Sequence, residues 1–272
     1  MTYIFDPDNW RWLTHENNFT FLFQHFMNNL LIAIVAMVLS MIFGLGLALL
    51  RISKNKPVSK IAGGWIDVWR NLPLIFILLY LFLNLPDSIK KAYVDFVPDF
   101  FPEVMHESFF LAAIMGLTLY NSAVIAEIMR AGIQSLERGQ GEAAAALGLP
   151  YCRAMRLIIL PQGLRRMVPA TVSQLITLTK DTSLVSIISI QEIVNGGQII
   201  VNTAGSVFVD PGGPKASVLH VFIVVGAMFI IFNLALSRLS RRLEIRERAR
   251  TGVTTERVTG LEDQVALEAD VT

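Results

Sequence analysis

The amino-acid sequence predicts an all-α integral membrane protein with five transmembrane helices. Of its 272 residues, 53% are hydrophobic and only 17% are charged, and the mean hydropathy is +0.54. A soluble domain would carry about 25% charged residues. Apolar stretches of membrane length recur along the chain, and the loops between them alternate between basic and acidic residues. These observations exclude an ordinary soluble enzyme.

A helix needs about 20 mostly apolar residues to cross a hydrocarbon core of about 30 Å. Five stretches are candidates, and they are residues 30–50, 71–85, 109–126, 168–190 and 218–236. The second is short and reaches membrane length only by including part of 61–70. The fourth is interrupted by a polar group, but strongly apolar residues flank that group on both sides. We therefore expect five spans.

The charges between the spans predict the orientation. The basic residues lie after the first and third apolar stretches and in the tail, whereas the N-terminal segment and the loop 86–107 are rich in acids. The basic loops of membrane proteins stay in the cytoplasm. Five spans therefore place the N-terminus outside and the C-terminus in the cytoplasm. A four-span chain without 168–190 would put the basic tail on the acidic side.

Three regions of different composition follow from this arrangement. Residues 1–19 are expected to form an extracytoplasmic N-terminal segment, residues 20–245 the membrane domain, and residues 246–272 a flexible cytoplasmic tail with little apolar content. The first apolar stretch does not resemble a signal peptide, because no basic region precedes it. The loops 86–107 and 191–217 are expected to face outward. The four histidines are scattered without ligand spacing, so no metal site is predicted.

The segment 142–161 lies between the third and fourth spans and is helical in character. Residues 141–147 are strong helix formers, Gly148 is expected to end that helix, and Pro150 suits the start of another. The second helix has Arg153 and Arg156 on one face. One interpretation is an amphipathic helix lying on the membrane surface without a partner.

The same segment resembles the signature loop of permease subunits in binding-protein-dependent ABC importers. The pattern EAA, three residues, Gly, nine residues, Ile-x-Leu-Pro is filled at every fixed position, by Glu142, Ala143, Ala144, Gly148, Ile158, Leu160 and Pro161. Residues 180–184 (KDTSL) are similar to a segment of the polar amino acid uptake group. Residues 70–74 and 126–133 resemble two further motifs of that group, with substitutions at 71, 72 and 131. The resemblance covers about residues 20–245.

The resemblance implies a set of partners and a division of labour. A dimer of cytoplasmic ATPase subunits would bind the signature segment. A second permease subunit would complete the path through which the substrate crosses the membrane, and an extracytoplasmic binding protein would deliver the substrate. The implied coupling residues are Glu142, Ala143, Ala144, Gly148, Arg153 and Arg156. The sequence has no G-x-x-x-x-G-K-[ST] motif, so ATP and magnesium are expected on the ATPase chain. We expect no cofactor and no nucleic acid on this chain, which would be a transport subunit and not an enzyme.

The polar group in the fourth span is the candidate substrate path. A charge at the centre of a spanning helix costs about 2.5–3.5 kcal/mol, so such residues face a protein interior or a watery cavity. Lys180 and Asp181 could pair with each other or with groups on a neighbouring helix. Alternatively, their face of the helix could line the substrate path. The candidate residues are Asn121, Gln174, Thr177, Lys180, Asp181, Thr182 and Ser183, with Gln174, Thr177 and Asp181 expected on one face. Glu127 and Arg130 are expected to form an ion pair, and Asn233 a contact between helices.

The resemblance implies an importer of polar amino acids in a bacterial cell membrane. Glutamate is the first expectation on overall similarity alone, and glutamine or a basic amino acid is the alternative. Lys180 would favour an acidic ligand and Asp181 a basic one, so these local charges do not decide. A secondary transporter would show duplicated halves and ion-coupling carboxylates, and no internal repeat is apparent. A membrane-embedded enzyme would need a cluster of histidines or carboxylates, and a scaffold protein would dock without moving a solute.

Overall fold

The computed structural model describes residues 2–15, 17–136, 138–204 and 213–251, and those ranges contain helices and no β-strand. The eleven α-helices of the described residues are α1 (Thr2–Phe5), α2 (Asn18–Arg51), α3 (Lys56–Asn71), α4 (Leu74–Asn84), α5 (Asp87–Phe96), α6 (Phe110–Gln134), α7 (Arg138–Ala146), α8 (Tyr151–Ala154), α9 (Leu160–Asp181), α10 (Ile193–Thr203) and α11 (Val218–Thr251). The predicted tail 246–272 begins inside α11, and its part after Thr251 lies outside the described residues.

Three of these helices, α2, α6 and α11, are long and apolar enough to cross a membrane by themselves. Two further pairs pass the same test together but are bent, α3 with α4 by 94° and the helix Tyr151–Ile188 with α10 by 48°. The described residues thus contain three candidate spans, or five if each bent pair is one span. The five-span topology with its orientation stays a prediction.

Proline causes the sharper bend. Pro73 follows Leu72, which is extended with φ −83° and ψ 134°, as expected for a residue before proline. The second predicted span therefore does not extend in a straight line into 61–70. Instead α4 is an 11-residue apolar helix, about 17 Å long. Its partner α3 is nearly perpendicular to it and buries Ala62 and Ile66 while exposing Ile61 and Trp65.

The helix that contains the fourth predicted span begins earlier than expected. A π-helical turn, Met155–Ile159, joins α8 to α9, and a 3-10 turn, Thr182–Ile188, continues α9. The chain then turns at Ser189, which has a left-handed φ of 60°. The loop expected at 191–217 contains α10, because Glu192 caps an apolar helical stretch by accepting a hydrogen bond from the Asn195 N–H. The loop expected at 86–107 likewise contains α5.

The core of the bundle is the contact between α2 and α6. Small residues permit close approach of the two helices, and a Cβ on Gly44 would lie 2.7 Å from the Ile125 side chain. Helices α3, α4 and α9 also pack on α6. The first span, predicted from residue 30, is part of a helix that starts at Asn18, so its first three turns join the bundle. Helix α6 therefore lies at the centre of the bundle, and α9 with its polar residues packs against it.

Candidate functional site

One face of α9 is open in the protomer and polar in character. Ala170, Ser173, Thr177 and Lys180 are all exposed, and their spacing of three and four residues places them on one side of the helix. We call these four residues the polar face. Two of the residues predicted for the substrate path, Thr177 and Lys180, belong to it.

A hydrogen bond between helices anchors α9 to α6 beside the polar face. The Gln174 side chain donates from Nε2 to Asn121 Oδ1 at 2.8 Å. Asn121 is fully buried, and its Nδ2 donates to the Leu117 carbonyl oxygen at 2.9 Å. The structure thus brings together two predicted path residues that are 53 positions apart in sequence. Gln174 is half-buried.

Of residues 181–183, one is buried in the core and two are half-buried. Thr182 is fully buried and donates from Oγ1 to the Thr179 carbonyl oxygen at 2.8 Å. Ser183 donates to the Lys180 carbonyl oxygen at 2.6 Å, and Asp181 is half-buried. The change to a 3-10 turn after Asp181 alters the angular spacing. Thr182 therefore points into the core instead of joining the open face.

A second polar network ties the opposite side of α9 to its neighbours. The Asn29 side chain donates from Nδ2 to the Thr179 carbonyl oxygen at 3.1 Å, and Thr179 donates from Oγ1 to Asn233 Oδ1 at 2.9 Å. The predicted role of Asn233 as a helix contact is confirmed. Asn29 and Thr179 were missed. An asparagine next to a long apolar stretch was the available signal, since a polar side chain there needs a partner.

The cytoplasmic half of α9 is fastened to α11 through Ser240. Its Oγ donates to the Pro169 carbonyl oxygen at 3.0 Å and lies 3.1 Å from Ser173 Oγ. Pro169 lies inside the helix, where it lacks the N–H that would continue the helical bonding. Helix α9 is thus held by hydrogen bonds to α2, α6 and α11 and is open on its polar face.

The coupling segment predicted from the sequence forms a compact corner. Helix α7 ends at Ala146, and Gly148, two residues later, has a left-handed φ of +72°. The Leu149 N–H donates to the Ala144 oxygen and the Gly148 N–H to the Ala145 oxygen. This is the bonding pattern of a Schellman motif, in which glycine is favoured because a Cβ would be strained. The corner therefore has a defined shape without any partner.

The surface of this corner combines small apolar and charged groups. Glu142, Ala143 and Gly148 are exposed, as are Arg153 and Arg156, while Ala144 is buried. Leu147 lies in the segment that connects two predicted spans, and it is 79% exposed although its side chain is apolar. We call Glu142, Ala143, Leu147, Arg153 and Arg156 the coupling surface. An exposed leucine beside alanines and charges suits contact with another protein.

The coupling corner is attached to the spans by side chains as well as by the continuous helix. The Lys54 ammonium lies 4.4 Å from the centre of the Tyr151 ring, a cation–π contact between the α2–α3 connection and α8. Arg166 donates from Nη1 to the Ser135 carbonyl oxygen at 2.7 Å, which joins α9 to the end of α6. The corner is therefore joined to the α2–α3 connection as well as to α9.

Two other sequence expectations concern charge. Arg130 donates to Glu127 Oε2 at 2.8 Å, so the predicted ion pair is confirmed. Within the described residues, no group of three or more His, Cys, Asp or Glu side chains is placed to hold a metal ion.

The described residues form a helical bundle with three to five candidate membrane spans, a polar face on α9 and an exposed corner between α7 and α8, an arrangement typical of an integral membrane permease. Comparison with protein families agrees: residues 36–248 match the model of the binding-protein-dependent transport system inner membrane component. The chain belongs to this family, and it is a permease subunit of an amino acid ABC importer.

The relatives cover most of the chain. The probable glutamine ABC transporter permease protein GlnP of Bacillus subtilis is 35% identical over 234 residues, which are 85% of this chain and 96% of that protein. The glutamate/aspartate import permease protein GltK of Escherichia coli is 34% identical over 66% of this chain and 78% of its own. A crystal structure of an amino acid ABC transporter with histidines aligns with a TM-score of 0.67 and 27% identity, covering 86% of this chain and 98% of that one.

Proposed function

We propose that this subunit lines the translocation path of an ATP-driven importer for polar amino acids, with α9 as the path helix. The polar face is the observation that supports this most. Lys180 and Thr177 are exposed on a helix predicted to cross the bilayer, where a lipid-facing charge would cost about 2.5–3.5 kcal/mol. This face therefore contacts a second permease subunit and the water of the path instead of lipid. The proposed path residues are Gln174, Thr177, Lys180, Asp181 and Ser183, and the buried Asn121 holds Gln174 in place through their hydrogen bond.

The second part of the proposal concerns the motor. A dimer of cytoplasmic ATPase subunits, which carries the ATP and magnesium, docks on the coupling surface. The exposed Leu147 and Ala143 supply the apolar contact, and Glu142, Arg153 and Arg156 supply the charged rim that orients it. ATP binding closes the ATPases and pulls the coupling corner. The continuous helix from Tyr151 carries this movement to the polar face, and the path opens outward. Hydrolysis resets the path.

The substrate is proposed to be glutamate or glutamine, delivered by an extracytoplasmic binding protein at a bacterial cell membrane. Relatives named for glutamine, for glutamate/aspartate and for arginine are similar to this chain, and these names support amino acids as the class. Gln174 is half-buried, and its neutral amide group can hydrogen-bond a zwitterion of either kind. A basic amino acid is the alternative, favoured by Asp181 and opposed by Lys180.

The docking of the ATPase can be tested with a pair of exposed apolar residues. Leu147→Asp is compared with Phe100→Asp, since both side chains are about four-fifths exposed, at 79% and 81%. The membrane complex is purified with its ATPase and reconstituted with the binding protein. Leu147→Asp is expected to lower ATPase recovery and ATP-driven uptake at least tenfold, because burying a charge in an interface costs more than 1.4 kcal/mol. Equal recovery in both variants would refute the coupling role.

The substrate is settled by the same proteoliposomes and a panel of labelled amino acids. Uptake of glutamate and glutamine above that of arginine supports the proposed choice. Preferred uptake of arginine would favour the basic alternative and leave the coupling proposal intact, because the two tests read different surfaces.

A further inference from the structure

The last turns of α11 carry a basic face. Helix α11 runs to Thr251, whereas the apolar stretch predicted to cross the membrane ends at residue 236. Beyond that point four arginines are exposed, and the second, third and fourth follow the first by three, four and eight residues. This spacing places them on one side of the helix. We call them the basic face, which consists of Arg238, Arg241, Arg242 and Arg246. Ile245, which is 61% exposed, lies among them.

The contact between α11 and α9 determines where the basic face points. Ser240 is buried, and its Oγ donates to the Pro169 carbonyl oxygen of α9 at 3.0 Å. Arg238 and Arg242 lie two residues before and after Ser240, and a step of two residues turns an α-helix by about 200°. The basic face is therefore directed away from α9.

The positive charge of the basic face is not compensated within the described part of the chain. No carboxylate of the described residues forms an ion pair with any of the four guanidinium groups. Glu244 lies at the edge of the face without pairing with Arg241, and Glu247 lies on the opposite side of the helix; both have interactions of their own. Four like charges on neighbouring turns repel one another. The face therefore suits an anionic partner.

The segment that follows α11 in the sequence has the complementary charge. Residues 252–272 contain five acidic residues and one arginine, which gives a formal charge of −4. We call this segment the acidic tail, and its acids are Glu256, Glu262, Asp263, Glu268 and Asp270. The match to the family model ends at residue 248, so the acidic tail lies outside the part of the chain that this family shares.

Distances along the chain allow the acidic tail to reach the basic face. Arg242 precedes Thr251 by nine residues, which is about 14 Å along the helix. Glu262 follows Thr251 by 11 residues, and a chain of that length extends up to about 36–40 Å. Lipid headgroups reach less of the face. Arg246 lies about 15 Å past residue 236, whereas the headgroup layer on each side of the bilayer is about 5–8 Å thick.

We propose that the acidic tail docks on the basic face of the same chain, with its carboxylates paired to the four guanidinium groups. The two segments have equal and opposite charge, and the tail is long enough to fold back. A tethered segment has an effective concentration on the order of millimolar, which favours the tail over an acidic patch on a separate protein. Because Ser240 on the same turns holds α9, the docked tail lies behind the segment that positions the path helix.

A nitroxide at the centre of the basic face measures this docking. The full-length chain with Ile245→Cys in a Cys152→Ser background is spin-labelled in phosphatidylcholine nanodiscs, and power-saturation EPR gives the accessibility of the nitroxide to a neutral nickel chelate. The tail is neutralised by Glu262→Gln, Asp263→Asn, Glu268→Gln and Asp270→Asn. We expect neutralisation to raise the accessibility about twofold or more. A rise in salt from about 0.01 M to about 1 M should do the same, because the Debye length falls from about 30 Å to about 3 Å.

Charge reversal identifies the pairing groups. Arg242→Glu with Arg246→Glu should raise the accessibility as neutralisation of the tail does. Addition of Glu262→Lys with Asp263→Lys to that variant should restore the low value, because opposite charges meet again. The control is a nitroxide on the native Cys152, which is exposed at the coupling corner and should not respond to neutralisation of the tail.

Four results would overturn the proposal. Equal accessibility with the native and the neutralised tail would show that the tail does not cover the basic face. Protection that appears only in phosphatidylglycerol nanodiscs would assign the face to lipid, and protection that appears only with the ATPase subunit would assign it to that partner. A charge reversal that the tail lysines do not restore would contradict the pairing. The salt series needs no change in the tail, so it decides even where a variant does not fold.

Discussion

The polar face of α9 and an apolar groove between α2, α3 and α6 are both open in the protomer, yet they differ in chemistry. The first presents Ser173, Thr177 and Lys180, and the second presents Phe43, Leu50 and Trp65. Apolar side chains are stable against lipid, whereas hydrogen-bonding and charged groups need water or protein. The difference indicates that the two faces have different neighbours in the assembled transporter.

Helix α9, which carries the polar face, makes side-chain hydrogen bonds to neighbouring helices that an apolar helix could not make. Its sides are bonded to Asn121 of α6 and to Asn233 and Ser240 of α11. Such bonds between membrane helices fix the rotation of a helix. We infer that they keep the polar face directed at the path while the coupling corner moves.

The largest effect is expected when the same charge is placed on each face. Phe43 is 57% exposed, and Phe43→Asp puts a carboxylate in the apolar groove. We expect its apparent free energy of membrane insertion to rise by about 2.5–3.5 kcal/mol. Thr177→Asp is expected to raise it by about 0.2–0.5 kcal/mol less, because Lys180 one turn away can form an i,i+3 pair with the new carboxylate. A translocon insertion assay measures both, and equal costs would show that both faces meet lipid.

A smaller effect is expected at the corner where the polar helix begins. Gly148→Ala forces a Cβ into a left-handed conformation, which costs about 1–2 kcal/mol. Hydrogen–deuterium exchange at the Gly148 and Leu149 amides should become about tenfold faster. Gly141→Ala is the control, because a Cβ there meets no atom within 4 Å and alanine favours the helix by up to about 1 kcal/mol. Slower exchange in Gly148→Ala would contradict the motif.

The bond between α6 and α9 should contribute about 1 kcal/mol. The measurement is a double-mutant cycle of Asn121→Ala and Gln174→Ala, read from the free energy of unfolding. Because the two side chains share a 2.8 Å hydrogen bond, the double variant should be more stable than the sum of the single losses by about 0.5–1.5 kcal/mol. Additive losses would mean that the bond does not hold the polar helix.

The smallest effect concerns the loop beside the end of the polar helix. Burial raises the pKa of the Glu107 carboxyl, while a hydrogen bond from the Gln191 backbone lowers it in part. A raised folded-state pKa means that the folded chain binds more protons, so the free energy of unfolding should fall as pH rises from about 4.5 through the folded-state pKa. Glu107→Gln should reduce this fall. The exposed Glu103→Gln is the control in thermal unfolding at several pH values, and an unchanged fall in Glu107→Gln would refute the assignment.

The sequence was informative where a local pattern determines the structure. The apolar periodicity of α2, α6 and α11, the glycine at the end of α7 and the ion pair of Glu127 with Arg130 all follow from neighbouring residues. The sequence signature predicts a helix break at Gly148, and the structure has a left-handed residue there; the coupling role of the segment stays a prediction. These features depend on spacing within one helix, which the amino-acid sequence states directly.

Features that depend on distant residues were harder to predict. The bond from Asn29 to Thr179 joins positions 150 residues apart, and nothing local indicates the partner. Thr182 was expected on the path, but the change from α to 3-10 geometry directs it into the core. The sequence predicts loops where α5 and α10 lie, because each helix is too short to form an apolar stretch of membrane length.

The central claim is that the polar face of α9 meets water in the assembled importer, and cysteine accessibility tests it most directly. Cys152 is exposed and is the one cysteine in the sequence, so Thr177→Cys and Phe43→Cys are made in a Cys152→Ser background. A membrane-impermeant thiol reagent should modify Cys introduced at 177 in the assembled transporter, with protection by the transported amino acid, and should leave the one at 43 unmodified. Modification at 43 but not at 177 would contradict the account.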